Sequence, residues 1–588
     1  MARILSFLVA SFVAAAVTAP MSLAQEAALP APQTAVPGGQ EPRPLVTVMV
    51  TSADEFLNDL KFLMGEGPDA EKALENLEVL LLDPYLEGLN KDKPPMPRDK
   101  PSGAVVYLEN DTLQSVLMFP VSHPGEFFDV ISDVGVESAK ESDEFYAISG
   151  DIYQGYARVT NGYVYMAESK ELLLRGLPQP EELFKDFLDK KYDVAAVIDG
   201  TSSTTEQRRT AFEKFRKETT ASLEKMKEES ELDFKIRKAM IEFQLDEIER
   251  FFSESKHIEL GWVTDVNAKQ GLAHVELEAL PDTSLAKTIE VLEQTDGNAN
   301  TSMPGDYVSY GSSHFLFDEM RQTHMLALSD LLRQKAHEEI ASDKQIADKD
   351  KENANKVADL LFDLMNANTQ DGTLFGWLKV LKNEKSQHTL LGATTVKDVP
   401  KVVTLLTDSG MAEMNIESID EKADIHKVQL YGDYSGLKGQ FGDDLALYFV
   451  TGKGDLKDRL WIGMGHNAID ELKKAVAANE QAGPVAAQLR IKVGSWVDAL
   501  VSEESKKPEE EPKESTRRIR RRSRRRVKKE EYDVGRVAWQ TLANAEDDIL
   551  VLTLEKVGEN RVVVHEDVDT GLLRFIGKVL AHEINASF

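Results

Sequence analysis

The sequence predicts an α+β protein of two tandem, similar units, each a largely antiparallel sheet covered by helices, with a helical hairpin projecting from each. Three observations predict it. Short segments with apolar residues at alternate positions recur along the chain, separated by stretches whose apolar residues repeat at helical spacing. Neighbouring strands are joined by tight polar turns such as Glu109-Asn110-Asp111, which suit antiparallel pairs. One passage is also written twice: Val275-Glu-Leu277-Glu-Ala-Leu-Pro-Asp282-Thr283-Ser-Leu285 and Val562-Val-Val564-His-Glu-Asp-Val-Asp569-Thr570-Gly-Leu572. In both copies a strand with alternate apolar residues runs into an Asp-Thr pair that opens a helix, the mark of an internal duplication.

The first unit spans 44–297. Leu45–Val50 is a strand, and Ser52-Ala-Asp-Glu55 starts a helix that carries Phe56, Leu57, Leu60 and Met64 on one face. A second helix covers about 69–89, followed by a proline- and lysine-rich connector. Ala104–Leu108 and Gln114–Pro120 form a hairpin, and a helix follows over Gly125–Val134. The strands Phe145–Ile148, Gly155–Thr160 and Tyr163–Met166 lead to Ser169, placed to cap a helix from Lys170. After the strand Val194–Ile198, residues 204–252 carry two helical stripes, Phe212, Phe215, Leu223, Met226 and then Ile236, Met240, Phe243, Ile248, Phe251. The acidic turn 228–233 between them makes a helical hairpin. Leu260–Thr264 and His274–Ala279 close the unit, and Asp282 caps its last helix.

The second unit, 301–588, follows the same order. Tyr307–Tyr310 is a strand, with Ser312 or Ser313 capping a helix from His314 to about Ile340, and a further helix covers Asn355–Met365. Gly372–Leu381 and Thr389–Thr395 repeat the hairpin and Val399–Leu406 the helix behind it. Tyr448–Thr451 and Leu460–Met464 are strands, after which Asn467 stands where Ser169 stands. Leu489–Val493 matches Val194–Ile198, a strand starts near Val534, and Asp569 caps the last helix as Asp282 does. Corresponding elements lie about 260 to 300 residues apart, the drift expected where insertions fall in loops.

The first residues read as a signal peptide: Arg3 as n-region, Ile4–Val17 as apolar core, and Ser22-Leu23-Ala24 as cleavage site, giving cleavage after Ala24. Residues 25–43, rich in Pro, Ala, Gln and Gly, form a flexible leader. The chain has no cysteine, which excludes disulfides and thiolate metal sites and fits a bacterial envelope or extracellular setting. No later stretch is apolar enough to span a membrane. The net charge of −32 repels nucleic acid and anionic lipid from the chain as a whole.

The exported leader, the Val-Thr-Val-Met-Val strand before Ser-Ala-Asp-Glu, and the charged hairpin before Leu-Pro-Asp-Thr resemble uncharacterised large secreted bacterial proteins built from repeated strand-and-helix units. The resemblance implies the fold and the compartment; it implies no activity, because that family carries no assigned one.

Candidate chemistry is sparse. Gly463-Met-Gly465-His-Asn-Ala468 follows a strand and opens a helix, as a dinucleotide fingerprint does, but its first-unit counterpart has Tyr165, Ala167 and Lys170 there, and the next strand ends without an acidic residue. Tyr307-Val-Ser309-Tyr-Gly311 has Tyr where a nucleophile elbow needs glycine, which leaves His314 and Asp318 as a surface pair one helical turn apart. His565, Glu566, Asp567 and Asp569 are dense in donors, yet strand alternation divides them between two faces. Asp443-Asp444 lacks a calcium-loop spacing. Catalytic, metal and cofactor sites are therefore assigned to none of these residues. The local feature with a sharp consequence is a basic run flanked by glutamates: Arg517, Arg518, Arg520, Arg521, Arg522, Arg524, Arg525, Arg526, Lys528 and Lys529. Packed cations repel and cannot be buried, so 502–531 reads as a disordered insert. It is either a loop neutralised by its own flanks or a clamp for anionic envelope polysaccharide or lipid head groups. The expected function is a non-catalytic exported envelope protein that binds or scaffolds. The alternative is a hydrolase-like envelope enzyme whose site is assembled from residues distant in sequence.

Overall fold

A computed structural model describes residues 43–76, 95–109, 112–133, 135–150, 153–221, 223–290, 292, 307–344, 348–382, 387–397, 399, 401, 417–419, 422–428, 441–442, 446–477, 486–501, 505, 533–543, 545 and 547–587. The signal segment, the leader up to residue 42, residues 77–89 of the expected second helix, Asp443-Asp444, most of the helix expected over 399–406 and the whole basic run lie outside these residues. The fold is mixed α and β, built on a single twenty-stranded sheet in which every neighbouring pair is antiparallel.

The first ten strands are β1 Val46–Val50, β2 Ser102–Glu109, β3 Thr112–Pro120, β4 Val136–Lys140, β5 Phe145–Gly150, β6 Gly155–Thr160, β7 Tyr163–Ala167, β8 Val194–Asp199, β9 Ser255–Asp265 and β10 Gln270–Ala279. The second ten are β11 Tyr307–Leu316, β12 Thr373–Lys382, β13 His388–Thr395, β14 Glu417–Ile419, β15 Ala423–Val428, β16 Leu447–Gly452, β17 Arg459–Gly465, β18 Ala487–Lys492, β19 Ile549–Lys556 and β20 Arg561–Asp569. Counted inward from one edge, the order is β4-β5-β6-β7-β3-β2-β1-β8-β9-β10. Counted inward from the other, it is β14-β15-β16-β17-β13-β12-β11-β18-β19-β20. The two series meet where β10 pairs with β20 from Gln270–Asp569 to Glu278–Arg561, with His274 facing His565.

The helices are α1 Ala53–Met64, α2 Pro124–Asp133, α3 Lys170–Leu173, α4 Pro180–Leu183, α5 Lys185–Asp189, α6 Thr205–Ala221, α7 Glu231–Glu254, α8 Ser284–Glu290, α9 Glu319–Ser342, α10 Asp348–Asp371, α11 Ala468–Ala477, α12 Gly494–Leu500, α13 Val534–Leu542 and α14 Thr570–Ser587, with a further helical stretch at 68–76. Strand alternation sorts them by face. Leu277 and Ala279 of β10 and Val562 and Val568 of β20 point to one face, here the upper. There α8 packs Leu285 and Ile289 on Ala279 and Val562, and α14 packs Leu573 on Val568 and Leu550. On the same face, Phe127 and Phe128 of α2 bury Ala104, Leu117 and Met166. On the lower face, Leu172 and Leu173 of α3 and Phe187 of α5 cover Met49, Val105 and Val116, while Leu472 and Ala475 of α11 cover Leu391 and Trp461. Among the described residues, no helix is long and apolar enough to cross a membrane.

The two long helical pairs meet each other. α7 and α9 lie side by side, joined by Arg321–Glu247 at 2.7 Å, His324–Asp246 at 2.6 Å and Lys335–Asp233 at 2.8 Å, with Arg250 bridging Glu247 and Asp318. These ion pairs join the two helices along their polar, partly exposed flanks. At the other end, α14 crosses α1 where Gly577 lets the backbone at Leu63 approach closely, and Asn76 donates to Asn585 at 2.9 Å.

Several local expectations are corrected. Asp282 does not cap α8: it sits at φ 62°, and the free amides are taken by Thr283 Oγ1 (from Ala286, 3.2 Å) and Glu254 Oε2 (from Leu285, 2.9 Å). Asp569 is the last residue of β20, and its carboxylate accepts from the Ile549 amide at 3.1 Å, because α14 starts directly from the strand. Ser169 does cap α3, accepting from Leu172 at 3.4 Å, whereas Asn467 before α11 is left-handed at φ 57°. β11 continues through Ser312 and Ser313 to Leu316, since β12 and β18 pair with it there, so α9 begins at Glu319 with Asp318 as cap. Residues 534–542, expected to begin a strand, are helix, capped by Asp533.

Candidate functional site

The site is a trough on the upper face of the second half of the sheet. One cross-strand row forms its floor: Leu552 of β19 faces Leu489 of β18, which faces Gly311 of β11, then Leu378 of β12, Gly392 of β13 and Ile462 of β17. The next row contributes Gly376 and the hydroxyls of Ser313 and Thr394. The trough encloses about 500 Å³ and leaves Leu378 49% exposed. Along the strands it is flanked on one side by an aromatic stack: Trp496 of α12 donates to Ser309 at 2.7 Å and lies parallel to His388 at 5.7 Å. On the other side, α10 is anchored by Leu364 on Val396 and Leu460, and by Asn368 donating to the Thr395 carbonyl.

The glycines identify the trough as built. A glycine inside a strand costs about 0.5–1 kcal/mol against alanine and commonly marks a close approach by backbone or ligand. Elsewhere in this sheet the approach is internal: a Cβ on Gly463 would stand 2.6 Å from Leu472 of α11. At Gly311, Gly376 and Gly392 the nearest atoms to an added Cβ are 3.4, 3.2 and 3.2 Å away, and none of the three has a positive φ. Backbone conformation does not demand glycine there, and an added Cβ would need its neighbours, the Ala393 and Trp377 carbonyls among them, to give by only a few tenths of an ångström. On the same face of the first half, the row Ala196-Val48-Ala104-Leu117-Met166 is buried throughout, at 3 to 9% exposure.

Among the described residues, none that lines the trough is ionisable. The row continues past Leu552 to Glu566 of β20, whose carboxyl is pushed up by burial and then by Asp567. Other shifted groups lie apart from it. Beneath α1, Asp59 and Asp193 are a buried pair, both pushed up by burial. On the lower face at the seam, hydrogen bonding from His257, then from Lys190 and Tyr192, outweighs burial and holds Glu259 at about 2. His274 is lowered by burial and then by the neighbouring His565. Among the described residues, no group of three or more histidine, aspartate or glutamate side chains is arranged to hold a metal ion.

The motifs singled out in the sequence do not converge on the trough as chemistry. Gly463 and Gly465 end β17, where they serve packing and, at φ 101° for Gly465, the turn into α11. Ser309 is mid-strand and bonded to Trp496, not on an elbow, and His314 lies in β11 while Asp318 caps α9. His565 and Asp567 are on the lower face and Glu566 is on the upper. The ten cations of 517–529 are outside the described residues. The trough has no local signature in the sequence because its glycines are spread over three strands. No protein-family model matches this chain, and no curated protein or solved structure matches it.

Proposed function

We propose that this is a non-catalytic, exported envelope protein of two tandem units, a binding scaffold that holds an elongated apolar ligand in the trough of its second unit. One observation carries the reading: an open floor of strand glycines and leucines, with no ionisable side chain among the described residues of its lining. A hydrolase would need a base beside its nucleophile at the cavity, and among the described lining residues no histidine, carboxylate or lysine accompanies the hydroxyls of Ser313 and Thr394. Six strands about 4.8 Å apart give a floor of roughly 24 Å from Leu552 to Ile462, which suits an extended ligand better than a compact one. The equal strand order counted from the two edges supports the tandem reading, and the Arg3–Ala24 pattern supports export. In an envelope, Arg517–Lys529 would add a second contact, to anionic polysaccharide or lipid head groups.

The test is titration of the full chain with the uncharged fluorophore N-phenyl-1-naphthylamine, followed by displacement with unlabelled long-chain alcohols. Gly392→Leu and Gly311→Val fill the floor and should weaken uptake at least tenfold while leaving the thermal midpoint within a few degrees. A parent chain that takes up no probe, or filled variants that bind it as tightly, overturns the reading.

A further inference from the structure

At the centre of the seam stand two imidazoles with no part in the trough. His274 and His565 are direct cross-strand partners on the lower face. Their Nδ1 atoms are 3.5 Å apart and their ring centroids 5.1 Å apart, and the His274 side chain is 25% exposed, so solvent reaches the pair. That nitrogen separation has a specific meaning. Two imidazole nitrogens bound to one tetrahedral ion at about 2.0–2.1 Å lie about 3.4 Å from each other. A hydrogen bond between neutral rings uses one Nδ1–H and one lone pair; a cation uses both lone pairs.

A second arrangement favours the lone pairs. Glu276 Oε2 stands 3.8 Å from Nε2 of His274, and Arg561 holds the same carboxylate oxygen at 2.6 Å. A carboxylate 3.8 Å from the outer ring nitrogen is beyond hydrogen-bond length, but its charge favours the proton on that nitrogen and leaves the lone pair on the inner one, the tautomer a metal-bound histidine uses. Glu276, Glu259 and Asp567 share this face with the two rings and offset Lys190 and Arg561, so the field at the pair does not repel a cation.

We propose that His274 and His565 together bind a borderline divalent metal ion of the zinc class through their Nδ1 atoms, with water completing the coordination and Glu276 as the positioning carboxylate. Imidazole nitrogens suit zinc, nickel and copper, and a site with two protein ligands is open and exchangeable. The ligands lie 291 residues apart in sequence, on the strands that join the two halves of the sheet. A bound ion therefore staples the seam, in a chain that has no disulfide to do so.

The experiment is equilibrium dialysis of the chelator-stripped full chain against zinc chloride at pH 7.5, with cobalt(II) as a spectroscopic substitute. One zinc per chain should be retained, and the thermal midpoint should rise with zinc because the ion binds only the folded seam. His274→Ala and His565→Gln should each weaken retention at least tenfold and abolish both the midpoint rise and the cobalt visible band. Glu276→Gln should weaken it by roughly ten- to a hundredfold, the effect usual for an orienting carboxylate. His257→Ala, on the same face but outside the pair, should leave retention unchanged. Absence of zinc uptake by the parent, or full retention in both histidine variants, overturns the proposal.

Discussion

Replacing Asp59 with asparagine should stabilise the protein in alkali and change it little in acid. Asp59 and Asp193 are 7% and 5% exposed, one on α1 and the other at the start of β8. Asp193 is held by the Thr264 amide, and its carbonyl accepts from the Thr51 amide at 2.8 Å; Asp59 Oδ2 has no hydrogen-bond partner. Glu55, one helical turn away, adds a third carboxylate, itself accepting from Thr51 at 2.8 Å. Burial first, then the charges of Asp193 and Glu55, push Asp59 up to about 8, and burial pushes Asp193 up to about 6. The sign follows from linkage. Below the ordinary value of 3.8 both folded and unfolded chains hold the proton and nothing is lost. Above it the unfolded chain ionises freely while the fold resists, so stability falls until about pH 8, where the fold ionises too. At about 1.4 kcal/mol per unit, a rise of about four units sets a ceiling of about 6 kcal/mol. Hydration of the pair and a small lift of α1 should bring the observed loss to roughly 2–3 kcal/mol. Asp59→Asn keeps the shape, donates to Asp193 and does not titrate, so its advantage over the parent should be near zero at pH 4 and grow to that amount by pH 9. Hydrogen exchange of the α1 amides at pH 5, 7 and 9, corrected for intrinsic rates, reads the local opening directly, which suits a chain too large for two-state unfolding. A difference that does not change with pH, or a variant less stable at pH 9, refutes the reasoning.

Two further outcomes are expected. Thr283→Val and Glu254→Gln should each cost about 1 kcal/mol through lost capping of α8, whereas Asp282→Gly should be neutral or gain a few tenths because of its left-handed backbone; thermal midpoints check both, and a costly Asp282→Gly beside a silent Thr283→Val would return the cap to Asp282. Deleting residues 509–529 should leave the thermal midpoint nearly unchanged, since loop length alters closure entropy slowly, and should abolish low-salt retention on an anionic polysaccharide column that the parent shows and loses as salt rises; equal retention of parent and deletion removes the polyanion role.

What could be read from the sequence follows a physical division. Strands with one face on a core carry their own alternation, so β1, the β2–β3 hairpin, β6, β7, β8, β13 and β17 were legible. β4 was not: of Val136-Glu-Ser-Ala-Lys140 only Val136 is buried, as befits a sheet edge. The Asp-Thr pairs were legible as junctions but not as caps. The first strand stops at Ala279 and needs a turn with Asp282 left-handed, while the second runs to Asp569 and enters α14 at once. Identical letters meet different backbones there. β11 was read short because its last six residues, 311–316, are strand by virtue of β12 and β18, which pair with it from 57 or more residues further along the chain. The trough has the same cause. Gly311, Gly376 and Gly392 are each visible as strand glycines, but only cross-strand register aligns them into one floor.

The seam explains why such a floor can be left open. A glycine row weakens the strands that carry it and removes side chains that would otherwise pack. The second half bears that cost inside a continuous sheet: β20 is paired on one side with β19 and on the other with β10, so neither half presents its last strand as a free edge. Above the sheet, α8 lies against the polar clamp of α7 and α9 through Thr288, which donates to Asp318 at 2.7 Å, and α14 lies on α1. Each half thus completes the helical layer of the other. On the tandem reading proposed above, the first unit keeps its equivalent row filled by Ala104, Leu117 and Met166 and serves as the rigid partner. The second unit can then give up packing where a ligand is to lie. Opening the seam should loosen the trough before it loosens the first unit's core, because the glycine-floored strands have less packed above them than the row of Ala104, Leu117 and Met166.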